Sequence, residues 1–367
     1  MEFIKGADFS TLPEIERCGG KYYDNGVEGP LEKILAGYGF NYSRIRLWND
    51  PYSPKGEPYG AGTNDIEAAV IIAKRSKAAG MKILLDIHYS DFWADPGKQY
   101  KPKAWKGLDS AELEKALFDF TYASVSRLAE EDCIPDMVQV GNEITNGFMW
   151  PDAMKPEWDN IVRLLNAGIR AVHAADKNIQ IMLHLDSGHN GAMHRDWFDN
   201  YIKHGGAGFD IIGLSYYPLW NGPVKGLTDN MRDLAVRYGK PVVIAEVSEC
   251  FSTEDYAEYE MLAPSERKGA AAKKDLVQNL EYPPTYQGQS DFMKAFIDEI
   301  RSIPDNKGAG FFYWEPGWIP VRGSGWAYTP AFEYINEKGP CGNEWANQVL
   351  FDYEGNALPA LQIIKES

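Results

Sequence analysis

Residues 65–91, DIEAAVIIAKRSKAAGMKILLDIHYSD, place a predicted helix directly before a predicted strand. The first sixteen residues repeat apolar side chains at the spacing of one helix face, and they end in Gly80, as a helix C-terminus commonly does. Residues 82–91 then form a mainly apolar run that ends in polar side chains. Such a run is typical of a strand that is covered on both faces, so this stretch predicts one unit of a parallel α/β fold.

The same alternation runs along the whole chain. Eight strands are predicted, at 3–10, 42–48, 82–91, 137–144, 180–188, 210–218, 241–248 and 308–316. Helices are predicted between and after them, at 65–80, 111–131, 157–175, 195–204, 230–238, 290–302 and 359–366. This order predicts a single (β/α)₈ TIM barrel over residues 1–367. An open doubly wound sheet is the alternative, but the Gly-rich phosphate turn GxGxxG of such sheets is absent.

Four long connections each follow a strand: 49–63, 89–109, 249–289 and 315–358. In a barrel, every connection that follows a strand lies at the C-terminal face, where active sites are found. The connections at 249–289 and 315–358 are long enough to form the walls of a groove at that face.

Composition excludes several classes of function. The net charge of −16 repels phosphates, so no nucleic-acid partner is expected. No run of eighteen apolar residues predicts a transmembrane segment. The four cysteines contain no CxxC pair, which argues against zinc, while a surface disulfide involving Cys18 or Cys341 stays open.

The chain is rich in aromatic residues, with 11 Trp and 21 Tyr. They could belong to the core or could form platforms on which sugar rings stack. Several tryptophans lie among polar residues of predicted loops, which favours platforms: Trp93, Trp105, Trp220, Trp318 and Trp326.

Polar side chains close nearly every predicted strand, and in a barrel these ends converge on one face. They are Asp8, Arg44, Arg46, Asp86, His88, Asn142, Glu143, Asp186, Tyr216, Tyr217, Glu246, Trp314 and Glu315. For Asp186 or Glu315 alone, a salt bridge that closes the barrel top is an equal alternative. Glu143 and Glu246 stand out, because glycoside hydrolysis needs two carboxyl groups on either side of the scissile bond.

Two histidines allow more than one interpretation. Asp86 and His88 face the same side of one strand and, with Asp91, could bind a metal ion. The alternative, that they bind sugar hydroxyls, is favoured by the family resemblance described below. His184 has the same spacing from Asp186, and a hydrogen-bonded histidine of the barrel interior is an even alternative there.

Five segments together resemble the endo-β-1,4-galactanases of glycoside hydrolase family 53, which cleave type I arabinogalactan side chains of pectin. The segments are RIRLWNDP (44–51), LLDIHYSDFWADPGKQ (84–99), VQVGNEITNGFMWP (138–151), YYPLWNG (216–222) and FYWEPGWIPVRGSGWA (312–327). The similarity extends from residue 6 to NQVLFDYEGNALPAL (347–361), so it covers essentially the whole chain.

The resemblance implies a retaining hydrolase with Glu143 as acid/base and Glu246 as nucleophile. It implies that Asn142 binds the sugar 2-hydroxyl, that Arg44 and Tyr217 contact the nucleophile, and that Trp314 forms the floor of the cleavage subsite. The remaining substrate contacts are assigned to Asp86, His88 and Trp93, on a groove whose loops also carry Trp48, Trp318 and Trp326.

Two geometric expectations accompany the resemblance. A retaining mechanism requires the two carboxyl groups to lie about 5–5.5 Å apart. The large clan of barrel glycosidases to which the family belongs implies a cis peptide between Trp314 and Glu315.

No cofactor is expected. Some bacterial members carry a calcium loop after strand seven, but this chain lacks that run. Glu254, Asp255 or Glu258 could still supply oxygen ligands, although a structural calcium is not favoured. A secreted, periplasmic or cell-surface monomer is expected, because the implied substrate is a polymer. The alternatives are another endo-glycanase of the same clan, acting on mannan, xylan or glucan, and a barrel that binds glycan without catalysis.

Overall fold

A closed barrel of eight parallel strands forms the centre of the computed structural model, which describes residues 2–254, 276–337 and 341–367. The strands are β1 (Ile4–Asp8), β2 (Tyr42–Leu47), β3 (Lys82–Ile87), β4 (Met137–Val140), β5 (Gln180–Leu185), β6 (Ile211–Tyr216), β7 (Val242–Val247) and β8 (Gly308–Trp314). β1 closes the barrel by pairing with both β8 and β2. All eight predicted strands are confirmed. Of their polar C-terminal residues, some are paired within the ladders, such as Asp8, Asp86 and Glu246, and others follow them, such as His88, Glu143 and Glu315.

Helices follow the strands around the outside. They are α1 (Leu12–Arg17), α2 (Leu31–Gly37), α3 (Ile66–Ala78), α4 (Ser110–Glu130), α5 (Trp158–Ala175), α6 (Gly191–Lys203), α7 (Pro218–Asn221), α8 (Val224–Tyr238), α9 (Tyr286–Arg301), α10 (Thr329–Ile335) and α11 (Ala360–Glu366). Two of the predicted helices begin at capping residues: the Asp65 side chain caps α3, and Asp109 forms a capping box with Glu112 on α4. The short helices α1, α2, α7 and α10 were not predicted, because fewer than two turns give little periodic signal.

The barrel interior consists of layers, because alternate residues of each strand point inward. The lower layer, at the N-terminal ends of the strands, is apolar and includes Ile4, Tyr42, Leu84, Met137, Met182, Ile211 and Phe312. Residue 6 of this layer must be a glycine, because a Cβ there would lie 2.2 Å from the Phe312 ring. Two residues further along the strands, the interior becomes polar, and this upper layer carries the candidate site.

Within the described residues, no helix has the length and apolar character that crossing a lipid bilayer requires.

Candidate active site

A cavity of about 540 Å³ opens at the C-terminal ends of the strands. It is lined by Arg46, His88, Trp93, Ala94, Asp95, Pro96, Asn142, Glu143, Asp186, Ser187, Ser215, Tyr217, Trp220, Asn221, Glu246, Trp314 and Trp345. Both predicted catalytic glutamates therefore face one cavity, together with five of the predicted substrate-binding residues.

Glu143 follows β4 in a tight backbone bend. Gly141 and Glu143 both have positive φ angles, of 86° and 48°, and the second is an uncommon conformation for a residue with a side chain. Oε1 of Glu143 lies 2.6 Å from Oγ of Ser215 on β6. Burial, followed by the negative charges of Glu246 and Asp186, raises the pKa of Glu143 well above its usual value.

Glu246 lies on β7 beside a register shift in the ladder with β6. Leu214 pairs with Ile244 and Ser215 pairs with Glu246, so the ladder skips Ala245. Such bulges re-aim side chains, and here Ala245 packs in the lower layer while Glu246 faces the cavity. Glu246 Oε1 lies 2.9 Å from Nη1 of Arg44, and the Tyr217 hydroxyl donates to Oε2 at 2.6 Å. Burial raises the pKa of Glu246, but Arg44 and Tyr217 oppose that rise.

Arg44 is fully buried beneath the cavity and holds the upper layer together. Besides Glu246, it contacts Asp8 at 3.1 Å and Asp86 at 2.8 Å. The structure places Arg44 in contact with Glu246, the predicted nucleophile. Since neither Arg44 nor Asp86 lines the cavity, their assignment as substrate contacts does not agree with the structure.

Asp86 is occupied on both oxygens. Oδ2 pairs with Arg44 and with Nε2 of His88 at 3.0 Å, and Oδ1 accepts from the Gln139 amide. Nδ1 of His88 accepts from Nε1 of Trp48 at 3.2 Å and from the backbone N–H of Ala94 at 3.1 Å. The proton of a neutral His88 therefore lies on Nε2, facing Asp86, and Asp86 orients His88 instead of contacting sugar.

Asn142 has an amide orientation that three partners fix. Oδ1 accepts from Nη2 of Arg44 at 2.8 Å and from Nε2 of Gln139 at 3.0 Å, while Nδ2 donates to Ala94 O at 2.8 Å. The second hydrogen of Nδ2 remains for a ligand in the cavity, which Asn142 lines. This arrangement suits the predicted role as a hydroxyl ligand.

Trp93 and Trp314 are half-buried and line the cavity, as predicted. Their ring centroids lie 5.9 Å apart, and the guanidinium carbon of Arg46 lies 4.5 Å from the Trp93 centroid. Trp220 and Trp345 extend the aromatic wall and are stacked with an interplanar angle of 22°. The mixture of aromatic faces and polar groups suits a carbohydrate ligand.

Four of the tryptophans assigned to the groove or to platforms are instead buried in the core. Trp48 is 0%, Trp318 2%, Trp105 7% and Trp326 9% exposed. Trp48 packs against Phe92 with ring centroids 5.1 Å apart, so its ring cannot stack on a sugar. The polar sequence around these residues misled the prediction, because long loops at a barrel top fold back and build small cores of their own.

The predicted cis peptide between Trp314 and Glu315 is wrong for this structure. Among the described residues, cis bonds occur only before Pro151 and Pro156. Glu315 instead has a positive φ of 48°, and its N–H donates to Asp8 O at 2.8 Å. Its carboxylate pairs with Arg46 at 2.7 Å, so the salt-bridge interpretation holds for Glu315, whereas Asp186 lines the cavity.

Asp91 does not join Asp86 and His88 in a metal site. Its carboxylate accepts from the backbone N–H groups of Asp50 and Lys103. Within the described ranges, no cluster of three or more His, Cys, Asp or Glu side chains could hold a metal ion. Of the possible calcium ligands, Glu254 is exposed, and Asp255 and Glu258 lie outside the described residues.

Several cavity residues were not predicted, namely Ala94, Asp95, Pro96, Ser187, Ser215, Asn221 and Trp345. Ser215 lies on β6, two residues before Tyr217, which directly follows the strand, so the inward-facing period of two could have identified Ser215. Trp345 reaches the cavity from a loop more than thirty residues after β8, and no local pattern signals that approach.

The arrangement combines two carboxyl groups in one cavity whose pKa values are both raised, that of Glu143 the more strongly. Among the described residues no cation pairs with Glu143, which keeps its proton more readily, while Glu246 contacts an arginine and a tyrosine. A pair whose environments separate the pKa values in this way can divide the roles of acid and nucleophile.

Comparison with known proteins agrees with this site. The family model described as glycosyl hydrolase family 53 matches residues 4–364. An endo-β-1,4-galactanase of Bacillus subtilis is 37% identical over 99% of this chain and 86% of its own length. An arabinogalactan endo-β-1,4-galactanase of Cellvibrio japonicus is 32% identical, over 99% and 90%. The solved catalytic domain of an Ignisphaera aggregans family 53 protein is 40% identical, with a TM-score of 0.90 over 99% of this chain and 95% of that one. The chain therefore belongs to glycosyl hydrolase family 53.

Proposed function

We propose that this protein is a retaining endo-β-1,4-galactanase, in which Glu143 is the acid/base and Glu246 the nucleophile. The observation that carries the proposal is the unequal pair in one cavity. Glu143 lies next to Ser215 and pairs with no cation of the described residues, whereas Glu246 contacts Arg44 and Tyr217. Family membership and the names of the relatives support β-1,4-galactan as the substrate.

In the first step, Oε1 of Glu246 or its Oε2 attacks the anomeric carbon of the sugar. The carbon–oxygen bond to the leaving sugar breaks, and Glu143 gives its proton to that oxygen. The products of the step are a galactosyl ester on Glu246, an ionised Glu143 and a shortened chain with a free hydroxyl. Glu246 must be ionised to attack, and Arg44 stabilises that state.

In the second step, the ionised Glu143 removes a proton from water, and the water oxygen attacks the anomeric carbon. The ester bond breaks, which releases Glu246 as a carboxylate and leaves Glu143 protonated for the next cycle. The two displacements together retain the anomeric configuration. Both steps use only Glu143, Glu246, water and the sugar chain.

The open cavity and its wall of Trp93, Trp220, Trp314 and Trp345 suit a polymer that binds along its length. A polymer such as pectic galactan cannot enter a cell intact, so we place the activity outside the cytoplasm. Dialysis of the protein against a chelator should leave the activity unchanged, because the proposed steps use only side chains.

The substrate is tested by release of reducing sugar from galactan, with mannan, xylan and cellulose assayed in parallel. Galactan should be cleaved, and the shortening of the chains should reveal attack within the polymer. Preferred cleavage of one of the other polymers would support the alternative clan activities, while binding without cleavage would support a non-catalytic barrel.

Replacement of the proposed nucleophile, Glu246→Gln, should lower kcat by more than about 10⁴-fold, since the variant cannot form the covalent intermediate. Proton NMR of the first-formed product should show the β-anomer in the wild type. Initial formation of the α-anomer would contradict retention and with it the nucleophilic role of Glu246.

A further inference from the structure

A line of polar side chains runs from Glu143 into the barrel interior. Oε1 of Glu143 lies 2.6 Å from Ser215 Oγ, which lies 2.8 Å from Nε2 of His184. Nδ1 of His184 lies 2.9 Å from Oδ1 of Asn142. His184 is 0% and Ser215 2% exposed. The catalytic steps described above give His184 no role. Ser215 and His184 are called the relay below.

Asn142 determines which nitrogen of His184 carries the proton. Its Oδ1 is identified as the oxygen because Arg44 and Gln139 both donate to it, while Nδ2 donates to Ala94 O. An amide oxygen only accepts, so Nδ1 of His184 must donate to it. Burial, followed by the charge of Arg44, lowers the pKa of His184 well below its usual value, so the imidazole is neutral. Its Nε2 therefore carries a lone pair, and this lone pair faces Ser215.

The Ser215 hydroxyl has one proton and two neighbours that could accept it. If it donates to Nε2 of His184, its lone pairs face Glu143, and a protonated Glu143 can donate to them. Every donor in the line then has an acceptor. If Glu143 is ionised, the Ser215 hydroxyl donates to Oε1 of Glu143, and this bond by itself lowers the pKa of Glu143. Nε2 of His184 then becomes a buried acceptor without a donor, which is unfavourable and opposes that arrangement.

We propose that His184 is a positioning residue that acts through Ser215 to hold the proton on Glu143 until the leaving oxygen takes it. The proposal rests on the proposed function, because it assumes that Glu143 is the acid. The relay also favours the return of the proton in the second step, since ionised Glu143 leaves the His184 lone pair unsatisfied.

Other groups near Glu143 act in the same direction. Glu246 on β7, Asp186 after β5 and Asp95 after β3 place negative charge near Glu143 and favour its protonated form. The groups that face His184 are Arg44, Asp86, His88 and His194. None of these charges reproduces the directional effect of the relay. Among the described residues, the Ser215 hydroxyl alone is hydrogen-bonded to Glu143 on one side and to His184 on the other.

Two variants separate the relay from a structural role of His184. In His184→Asn, the amide nitrogen can still donate to Asn142, but no acceptor reaches Ser215. In His184→Gln, the longer side chain brings its amide oxygen to Ser215. We expect His184→Asn to lower the pKa of Glu143 by about one unit. This is the shift that corresponds to the free-energy cost of one unsatisfied buried acceptor, which no longer opposes ionisation of Glu143 in the variant. We expect His184→Gln to stay near the wild type.

The primary measurement is the titration of the Glu143 carboxyl carbon by ¹³C NMR in the three proteins. It requires no turnover, so it tests the relay even if galactan proves not to be the substrate. The second measurement is the pH profile of kcat/KM on galactan, whose basic limb should move to lower pH in His184→Asn alone. An unchanged Glu143 titration in folded His184→Asn would overturn the relay, as would an equal shift in both variants.

The wild type provides a test that does not depend on folding of a variant. ¹⁵N NMR of histidine-labelled protein should show a neutral His184 with its proton on Nδ1. A proton on Nε2, or on both nitrogens near neutral pH, would also overturn the proposal. If the wild type did not cleave galactan, but His184 carried its proton on Nδ1 and Glu143 titrated in the three proteins as expected, only the proposed function would be overturned.

Discussion

The lower and upper layers of the barrel interior are built from the same strands and differ in kind. On β3, Leu84 lies in the apolar lower layer, and Asp86, two residues later, pairs with Arg44 in the upper one. On β2, Tyr42 packs against Phe312 below, while Arg44 contacts three carboxylates above. A step of two residues, about 7 Å along a strand, thus separates an oily core from a buried cluster of charges.

The lower layer stabilises the fold, whereas the upper layer carries the groups proposed for catalysis. Removing the apolar side chains of the lower layer from water stabilises the folded state. Charges of the upper layer lose hydration, and their attraction only offsets that loss while every partner is present. Under the proposed function, the upper layer opposes the loss of charge at Glu246 while Glu143 keeps its proton in the same cavity, which an apolar layer could not do.

The largest effect is expected from removing the cation of the upper layer. Arg44→Met leaves Asp8, Asp86 and Glu246 buried without it, so the free energy of unfolding should fall by about 3–5 kcal/mol. The pKa of Glu246 should rise, because Arg44 no longer opposes burial, and kcat should fall with the acidic limb of the pH profile displaced to higher pH. Chemical denaturation and the pH dependence of galactan cleavage measure the two effects. A stable variant with a normal acidic limb would show that the cluster does not depend on this cation.

The lower layer should respond in stability alone. Leu84→Ala, two residues from Asp86 on the same strand, should lower the free energy of unfolding by about 2–5 kcal/mol through lost burial and a cavity. At a temperature where the variant is folded, its kcat and pH profile should match the wild type. A displaced pH profile in Leu84→Ala would mean that the two layers are coupled and that the comparison fails.

The strands of the barrel were easier to predict from sequence than the layer in which each inward-facing residue lies. The near-continuous apolar runs and their alternation with helices identified all eight strands, because burial on both faces leaves a local signature. The convergence of the strand ends placed Glu143, Glu246 and Arg44 at one face. The sequence pattern could not distinguish residues that line the cavity, such as His88, from residues of the upper layer that lie beneath the cavity, such as Asp86. That distinction depends on how far each strand extends towards the cavity.

Loop residues were harder still. Trp93 and Trp318 both follow strands in polar surroundings, yet Trp93 lines the cavity and Trp318 is 2% exposed. The difference depends on packing between loops that are far apart in sequence. For the same reason, Trp345 was missed, although its ring lies 4.6 Å from that of Trp314.

The aromatic wall should divide into binding and catalysis. Trp93→Ala should mainly raise KM for long galactan, by about 5- to 150-fold if stacking is worth about 1–3 kcal/mol, by analogy with base stacking. Trp314→Ala, at the proposed cleavage subsite, should lower kcat instead. Trp93→Phe is the control, because it keeps an aromatic face over Arg46. An unchanged KM for the polymer in Trp93→Ala would place the groove elsewhere.

Glu249 is a buried carboxyl that, unlike those of the upper layer, contacts no cation among the described residues. Glu249 follows β7 and is 2% exposed. Its Oε1 accepts only the backbone N–H of Cys250, at 3.2 Å, and its Oε2 has no hydrogen-bond partner among the described residues. Burial raises the pKa of Glu249 to about 8.

Because the folded protein keeps this proton up to about pH 8, while the unfolded chain releases it near its usual pKa of about 4.3, the unfolded state binds fewer protons between those values. Glu249 therefore makes the wild type less stable as pH rises through that window, by about 1.4 kcal/mol per pH unit. Glu249→Gln should remove this dependence, so the difference in free energy of unfolding between variant and wild type should increase in favour of the variant from pH 5 to pH 8. Taking the difference cancels contributions from Glu143, Glu246 and Glu315, which titrate in both proteins. A difference that stays constant across the window would mean that Glu249 is ionised in the fold, and that a buried carboxylate outside the upper layer can hold its charge without a cation.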